Sequence, residues 1–515
     1  MRLTPSIEVT TGFVRGQQRD GVAAFLGIPY GADTAAHRFR PAPPAPGWTG
    51  VRDCLAFGPE APQGQLSVKG MQFGDGAATR TVASILRVGT PEPMPQSEDC
   101  LILNLFAPEP MANGRRPVMV WLHGGGFGMG SAGNIQYDGT ALARRSDVVV
   151  VTINHRLSAL GYLYLGAFHE DFALSGCVGQ LDIVLALQWV RDTIAAFGGD
   201  PGNVTVFGHS GGGAKVSALM AMPASQGLFQ RAIIQSGPCA RLVEQADAVE
   251  MAERTLAALD LRPGQVHELT DRDPCSILAA ACAQQSPGNG IIAGALAPVV
   301  DGIAIPAHPF SPQASPLMHD IPLIIGATRD EWTIMSALDP LFGTMTKQQA
   351  RERFAFMLGE QRADDALTFY RALRPDGTPT HWLTDLMTDL MMKTEIAEMT
   401  EAKVRQAGAP VYAYRLDWTS PALGGALGCP HGTDIPLIFD TIDAAPALIG
   451  EGPDARRLAA TMATAWTNFA RDGDPSLPEL AWPAYAGEDR STMIFNAECR
   501  ILVDPDRTRR RFWLG

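Results

Sequence analysis

Cysteine is scarce and scattered in this chain. Eight cysteines stand singly among 515 residues, at 54, 100, 177, 239, 275, 282, 429 and 499. There is no CxxC pair and no His/Cys group with zinc spacing, so neither a structural zinc site nor a dithiol redox motif is expected. A disulfide framework is not indicated in a chain of this size without a signal sequence. Basic charge is also short: 41 Lys and Arg face 54 Asp and Glu, a net charge of −13. Such a chain lacks the bulk electrostatic footprint of a nucleic-acid binder. Its one basic run, Arg507 to Arg511, lies beside Phe512 and Trp513 and reads as a solvated end with an aromatic anchor. No run of 18 or more apolar residues occurs, so no transmembrane helix is expected. The N-terminus lacks an apolar h-region and moves straight into strand-like sequence. A cytoplasmic protein that engages neither membrane nor nucleic acid is the expectation.

Repeats and low-complexity segments are missing too. Hydrophobic residues at 46% and charged residues at 18% fit a soluble globular chain with a large core. Length alone suggests two to four domains, but large α/β enzymes build one unit of this size. One unit over 1–515 is expected. The stretch from Gly64 to Gln96, rich in Gly, Ser and Thr, reads as a long loop of the kind that forms lids. Helical insertions are expected near 340–400, including a Met-rich helix around Leu386 to Met399.

The middle third carries the pattern. Leu101 to Phe106, Val118 to Leu122, Val148 to Ile153 and Val204 to Phe207 read as strands. Val148 to Ile153 is apolar and β-branched, as strands buried in parallel sheets are. Ile183 to Phe197 and Ala214 to Met222 read as helices. Strands at Leu323 to Gly326 and Val411 to Leu416 follow. Alternating strands and helices predict an α/β fold, a mostly parallel central sheet flanked by helices.

Gly208-His209-Ser210-Gly211-Gly212 matches G-x-S-x-G directly between a strand and a helix. A turn this tight strains the central residue and exposes its hydroxyl at the sheet edge. Glycines two before and two after let the backbones pass. The N–H groups that follow open a helix and favour developing negative charge. Ser210 is therefore the candidate nucleophile; an incidental serine in a Gly-rich turn is the bland alternative. Two other motifs fail. A phosphate loop needs contiguous Gly-Lys-Ser/Thr, but Ala214 separates Gly213 from Lys215 and Val216 follows. Gly128 to Gly133 matches G-x-G-x-x-G, but Asp147 begins the next strand, whereas a dinucleotide site wants its acid at the strand's end.

His123-Gly124-Gly125-Gly126-Phe127 also follows a strand. Such a turn supplies N–H donors to an oxyanion, each worth about 10²–10³ in rate. Gly125, Gly126 and Gly211 are assigned to that role. A serine nucleophile needs a base and an orienting carboxylate, in the chain order Ser, acid, His. Among histidines after Ser210, His431 sits in a loop between a strand and a helix-like segment. Asp330 and Glu331 both follow the strand LIIGA, and spacing does not choose between them.

The chain resembles the type-B carboxylesterases, which include bacterial para-nitrobenzyl esterases and cholinesterases. GIPYG with Arg38-Phe39, Ser97 to Asn104, HGGGFGMGS, NHRLSALGY, FGGDPGNVTVFGHSGGG, GATRDE, HGTDIP and WTNFARDGDP run in family order nearly end to end. The resemblance implies the α/β-hydrolase fold, with helical and loop insertions over the active site. It implies Glu331 as the acid, His431 as the base, and no metal or organic cofactor. It gives Ser236 at most a supporting role behind this triad, and makes Arg38 and Glu98 a structural ion pair. The family usually has Glu before the nucleophile and Ala after it; here they are His209 and Gly211. No Trp lies in 64–96, where cholinesterases carry their choline-binding indole. The usual partner of Cys100 is missing, since that loop reads Ala61-Pro62-Gln63.

These readings converge on hydrolysis of uncharged, small to medium esters through an acyl-enzyme. Phe127, His209 and Trp332 are expected to line the pocket. Oligomeric state stays open between monomer and dimer. An amidase or carbamate hydrolase shares the machinery, because leaving-group preference lives in pocket shape. A non-catalytic interaction protein of the same fold is opposed by the intact Ser210, Glu331 and His431.

Overall fold

The computed structural model describes residues 2–63, 76–87, 94–111, 114–285, 296–487 and 489–515. Most of the lid expected over 64–96 lies outside them; a helix at Ala77–Arg87 lies within.

Among the described residues twelve strands form the central sheet: β1 Arg2–Leu3, β2 Gln17–Arg19, β3 Val22–Pro29, β4 Ile102–Pro108, β5 Arg116–Leu122, β6 Val149–Ile153, β7 Gly199–His209, β8 Arg231–Gln235, β9 Leu323–Thr328, β10 Val411–Leu416, β11 Ser491–Phe495 and β12 Arg500–Val503. Their spatial order is β1-β2-β3-β4-β6-β5-β7-β8-β9-β10-β11-β12. The run from β6 to β11 is parallel, and the edge strands pair antiparallel. A small sheet of Ile7–Val9, Gly12–Arg15 and Val51–Asp53 stands apart.

Side chains alternate across the parallel strands, as a period of two requires. Val118, Val120, Val149, Val151, Val204 and Val206 enter the core on one face. Met119, Trp121, Val150, Phe207 and Ile233 enter the core on the other. Helices α1 (Val178–Thr193) and α2 (Gly211–Leu219) cover the first face through Ile183, Leu187, Val216 and Leu219. Helix α3 (Pro453–Asp472) covers the second through Leu458, Met462, Trp466 and Phe469. Both faces of the strands are therefore buried, which is why β6 reads as an almost wholly apolar, β-branched run, with Thr152 its one polar residue.

Register puts the chemistry on one edge. Leu122 of β5 and Ile234 of β8 both pair with Gly208 of β7, and Gln235 of β8 pairs with Gly326 of β9. The loops after β5, β7, β8 and β9 thus leave at one level, the carboxyl edge where α/β sheets bind ligands.

Two ion-pair systems tie peripheral segments down. Arg38 grips Glu98 through Nε and Nη2 at 2.7 and 2.5 Å, the expected structural pair. Arg156 and Asp182 are fully buried and bidentate at 2.8 and 2.6 Å. The basic C-terminal run is a helix, Arg507–Leu514. It is more than a solvated end: Arg509 bonds Asp385 and Asp389, and Phe512 stacks on Phe369 at 4.0 Å. It thereby fastens the chain end to the helices at Glu360–Leu373, Pro379–Thr388 and Thr394–Val404, the last two joined by a π turn over Asp389–Lys393, while a helix at Lys347–Leu358 packs on Glu360–Leu373.

Candidate active site

Ser210 stands between the end of β7 and the first residue of α2 with φ 57° and ψ −125°. A non-glycine residue there costs of order 1–3 kcal/mol and persists only where its surroundings hold it. The surroundings are explicit. The Ser210 N–H donates to Gln235 O at 2.8 Å, and Ser210 O accepts from Ala214 N–H at 3.0 Å. A Cβ on Gly208 would lie 2.5 Å from the carbonyl carbon of Gly212, and one on Gly212 only 2.0 Å from Leu122 O. Both glycines are thus required for the backbones to pass, as G-x-S-x-G implies.

Glu331 lies just beyond β9 and is buried. Its Oε2 meets His431 Nδ1 at 2.5 Å. Its Oε1 accepts from Ser236 Oγ and from the Thr328 N–H, each at 2.6 Å. Burial pushes this carboxyl up, but the His431 charge and these hydrogen bonds outweigh it and hold it below the ordinary glutamate range. The partner shifts the opposite way. Burial pushes the His431 imidazole down, while Glu331 and then Asp434 pull it up, to a net value above 6.5. Of the two carboxylates that spacing leaves open, Glu331 is the one in contact with His431; Asp330 instead accepts from Arg329 Nε and Cys429 N–H.

His431 is carried by the loop between β10 and a short helix at Asp434–Ile438. Its ring lies 4.3 Å, centroid to centroid, from His209, the neighbour of Ser210. His209 is buried, and burial together with the nearby His431 keeps its pKa well below 6.5. Next to it sits a group the sequence reading did not single out. Asp434 is fully buried, accepts from Gln235 Nε2 at 2.9 Å and Tyr414 OH at 3.0 Å, and is pushed up by burial to about 6. The signal is a carboxylate three residues beyond His431, at the start of the helix that follows its loop.

The glycine turn after β5 closes on this edge. Gly125 and Gly126 have φ 94° and 61°, which glycine adopts without strain. A Cβ on Gly211 would stand 2.4 Å from Gly126 N and 2.2 Å from Gly126 O. The three assigned oxyanion residues are therefore in backbone contact. Phe127 is buried, edge-on to Tyr162 at 5.2 Å. Trp332 is half-buried beside Glu331, its backbone N–H donating to Thr388 Oγ1 at 3.1 Å. All eight cysteines are free thiols.

This sheet, with its strained serine at the carboxyl edge, defines an enzyme of the α/β-hydrolase class. A profile described as "Carboxylesterase family" matches residues 3–513, and the chain belongs to that family. It is 35% identical to a para-nitrobenzyl esterase of Bacillus subtilis (strain 168), over 98% of this chain and 97% of that one. It is 34% identical to a phenmedipham hydrolase of Pseudarthrobacter oxydans, over 98% of each. Among solved structures, a carboxylesterase of Geobacillus stearothermophilus is similar with TM-score 0.83 and 33% identity, covering 99% of this chain and 100% of that one.

Proposed function

We propose that this carboxylesterase-family enzyme hydrolyses uncharged, small to medium carboxylic esters through an acyl-enzyme on Ser210. His431 takes the Ser210 proton as the Oγ attacks the ester carbonyl. The carbonyl oxygen gains the negative charge and is held by the N–H groups of Gly125, Gly126 and Gly211. The tetrahedral intermediate collapses, the C–O bond to the alcohol breaks, and His431 returns its proton to the departing oxygen. Water then attacks the acyl-enzyme with His431 again as base, releasing the acid and restoring Ser210. Glu331 fixes the imidazole tautomer and stabilises the imidazolium formed in each half-reaction. Every role is filled by side chains and backbone of this chain.

The observation that carries this reading is the chain of contacts Ser236–Glu331–His431, ending on the ring of His209, the residue before the strained Ser210. The substrate class rests on His209, a buried neutral group where a carboxylate would favour cationic substrates. The para-nitrobenzyl esterase among the relatives is named for an uncharged aromatic ester. Kinetics on para-nitrophenyl esters of graded acyl length, with one amide and one choline ester alongside, test it. Ser210→Ala is expected to lower kcat by a factor on the order of 10⁶. Turnover surviving in that variant, or a preference for the choline ester, contradicts the reading.

A further inference from the structure

Lys215 lies on α2, five residues past Ser210, and is completely buried. A buried ammonium is costly unless its donors are satisfied. Among the described residues no carboxylate forms an ion pair with it. Instead its Nζ donates to His123 O and to Gly126 O, both at 2.9 Å. The face of Phe127 lies 5.7 Å away. The two carbonyls bracket the glycine turn: one precedes its first glycine and the other belongs to its last. Gly126, held in this way, is also the residue whose backbone touches Gly211. The helix that begins at the nucleophile thus reaches back and staples the turn packed against it.

We propose that Lys215 is a positioning residue of the oxyanion hole, fixing the 123–126 turn by bridging the carbonyls of His123 and Gly126. The proposal rests on the oxyanion assignment made above for Gly125, Gly126 and Gly211. A donor to an oxyanion is effective only when its N–H is held where the charge will develop, and a turn of three glycines has little stiffness of its own. A lysine is suited to bracing it, because one flexible stem carries three donors to two separate acceptors. The titratable imidazoles nearby do not compete for its place. Burial and then the Lys215 charge push His123 down to about 3 and His155 well below 6.5, so both stay neutral. Burial also brings Lys215 itself down to about 7, as expected for an ammonium held by carbonyls alone.

Lys215→Met keeps length and removes charge and donors; Lys215→Gln keeps an N–H donor; Lys215→Arg keeps charge and donors. Each is assayed for kcat and KM on a para-nitrophenyl ester and for inhibition by a trifluoromethyl ketone, which forms the oxyanion on the enzyme. For Lys215→Met, kcat is expected to fall about 10²-fold with KM within about threefold. The ketone's inhibition constant should rise in step, with Gln and Arg recovering part of the loss. Unchanged kcat and ketone affinity in a folded Lys215→Met overturn the proposal. So does a fall in kcat with ketone affinity intact. Failure of both the Met and Gln variants to fold makes Lys215 a core-stability residue and overturns it too. Ser210→Ala separates the two levels: if it stays active the acyl-enzyme reading fails, and if it is inactive while Lys215→Met is unaffected, the present inference alone fails.

Discussion

His209 and Asp434 face each other across the active site with Nε2 and Oδ1 3.7 Å apart, and neither atom has a hydrogen-bond partner. Both side chains are buried. The pair backs onto His431: the His209 ring touches it, and the Asp434 charge raises its pKa. The His431 imidazole is thus tuned by two carboxylates, Glu331 in direct contact and Asp434 at one remove, while His209 contributes shape without charge.

The sign of that tuning is testable. In the proposed mechanism neutral His431 is the base, so kcat/KM is expected to fall as pH drops through its raised pKa. Asp434→Asn removes a negative charge that favours the imidazolium. The His431 pKa then falls and the acid limb of the kcat/KM profile moves to lower pH. An unmoved limb, or one moved to higher pH, shows that Asp434 does not act on His431 in this way.

Glu331→Gln tests the other carboxylate. The amide keeps the volume but holds the imidazole in the wrong tautomer and no longer stabilises its charge. By analogy with other triads kcat should fall by about 10³–10⁴. Steady-state kinetics on a para-nitrophenyl acetate series reads this directly. A loss under about tenfold would mean another group orients His431.

A third expectation concerns stability away from the chemistry. Arg156 and Asp182 are 2% and 1% exposed at the side chain. Asp182→Asn leaves the guanidinium buried and unpaired, a change that typically costs about 3–5 kcal/mol. Urea unfolding followed by tryptophan fluorescence measures it. A cost below about 1 kcal/mol would show that His37 O and Arg40 O, which also accept from Arg156 Nη1, suffice.

The elbow makes a fourth. Gly212→Ala would put a methyl carbon 2.0 Å from Leu122 O, between the first turn of α2 and the end of β5. Soluble folded enzyme should be lost. Gly264→Ala, with nothing within 4 Å, should keep both stability and activity. Expression and thermal melts of the two variants side by side give the comparison.

Much of this is legible in the sequence. The strand at Val149–Ile153 announces itself because both its faces are buried, and the Ser210 turn because glycine spacing and strained geometry are one constraint. The strand Arg231–Gln235 escaped: five residues opening on an arginine carry too little pattern to separate strand from connector. The terminal strands Ser491–Phe495 and Arg500–Val503 escaped for the same reason. Asp434 was hidden because its role comes from meeting Tyr414, Gln235 and His209, which arrive from three other segments. Lys215 entered the sequence only as a mismatch to a phosphate loop. Its work depends on the register of β5 against β7, which brings the 123–126 turn over α2.

The central claim is that Ser210 forms the bond to the substrate's acyl carbon. Its most direct test is mass spectrometry after reaction with a fluorophosphonate, followed by proteolytic mapping of the adduct. The account predicts one phosphonylated site on the peptide bearing Ser210, loss of esterase activity in proportion to labelling, and no adduct in Ser210→Ala. An adduct on a different residue, or full activity in enzyme labelled at Ser210, would contradict it.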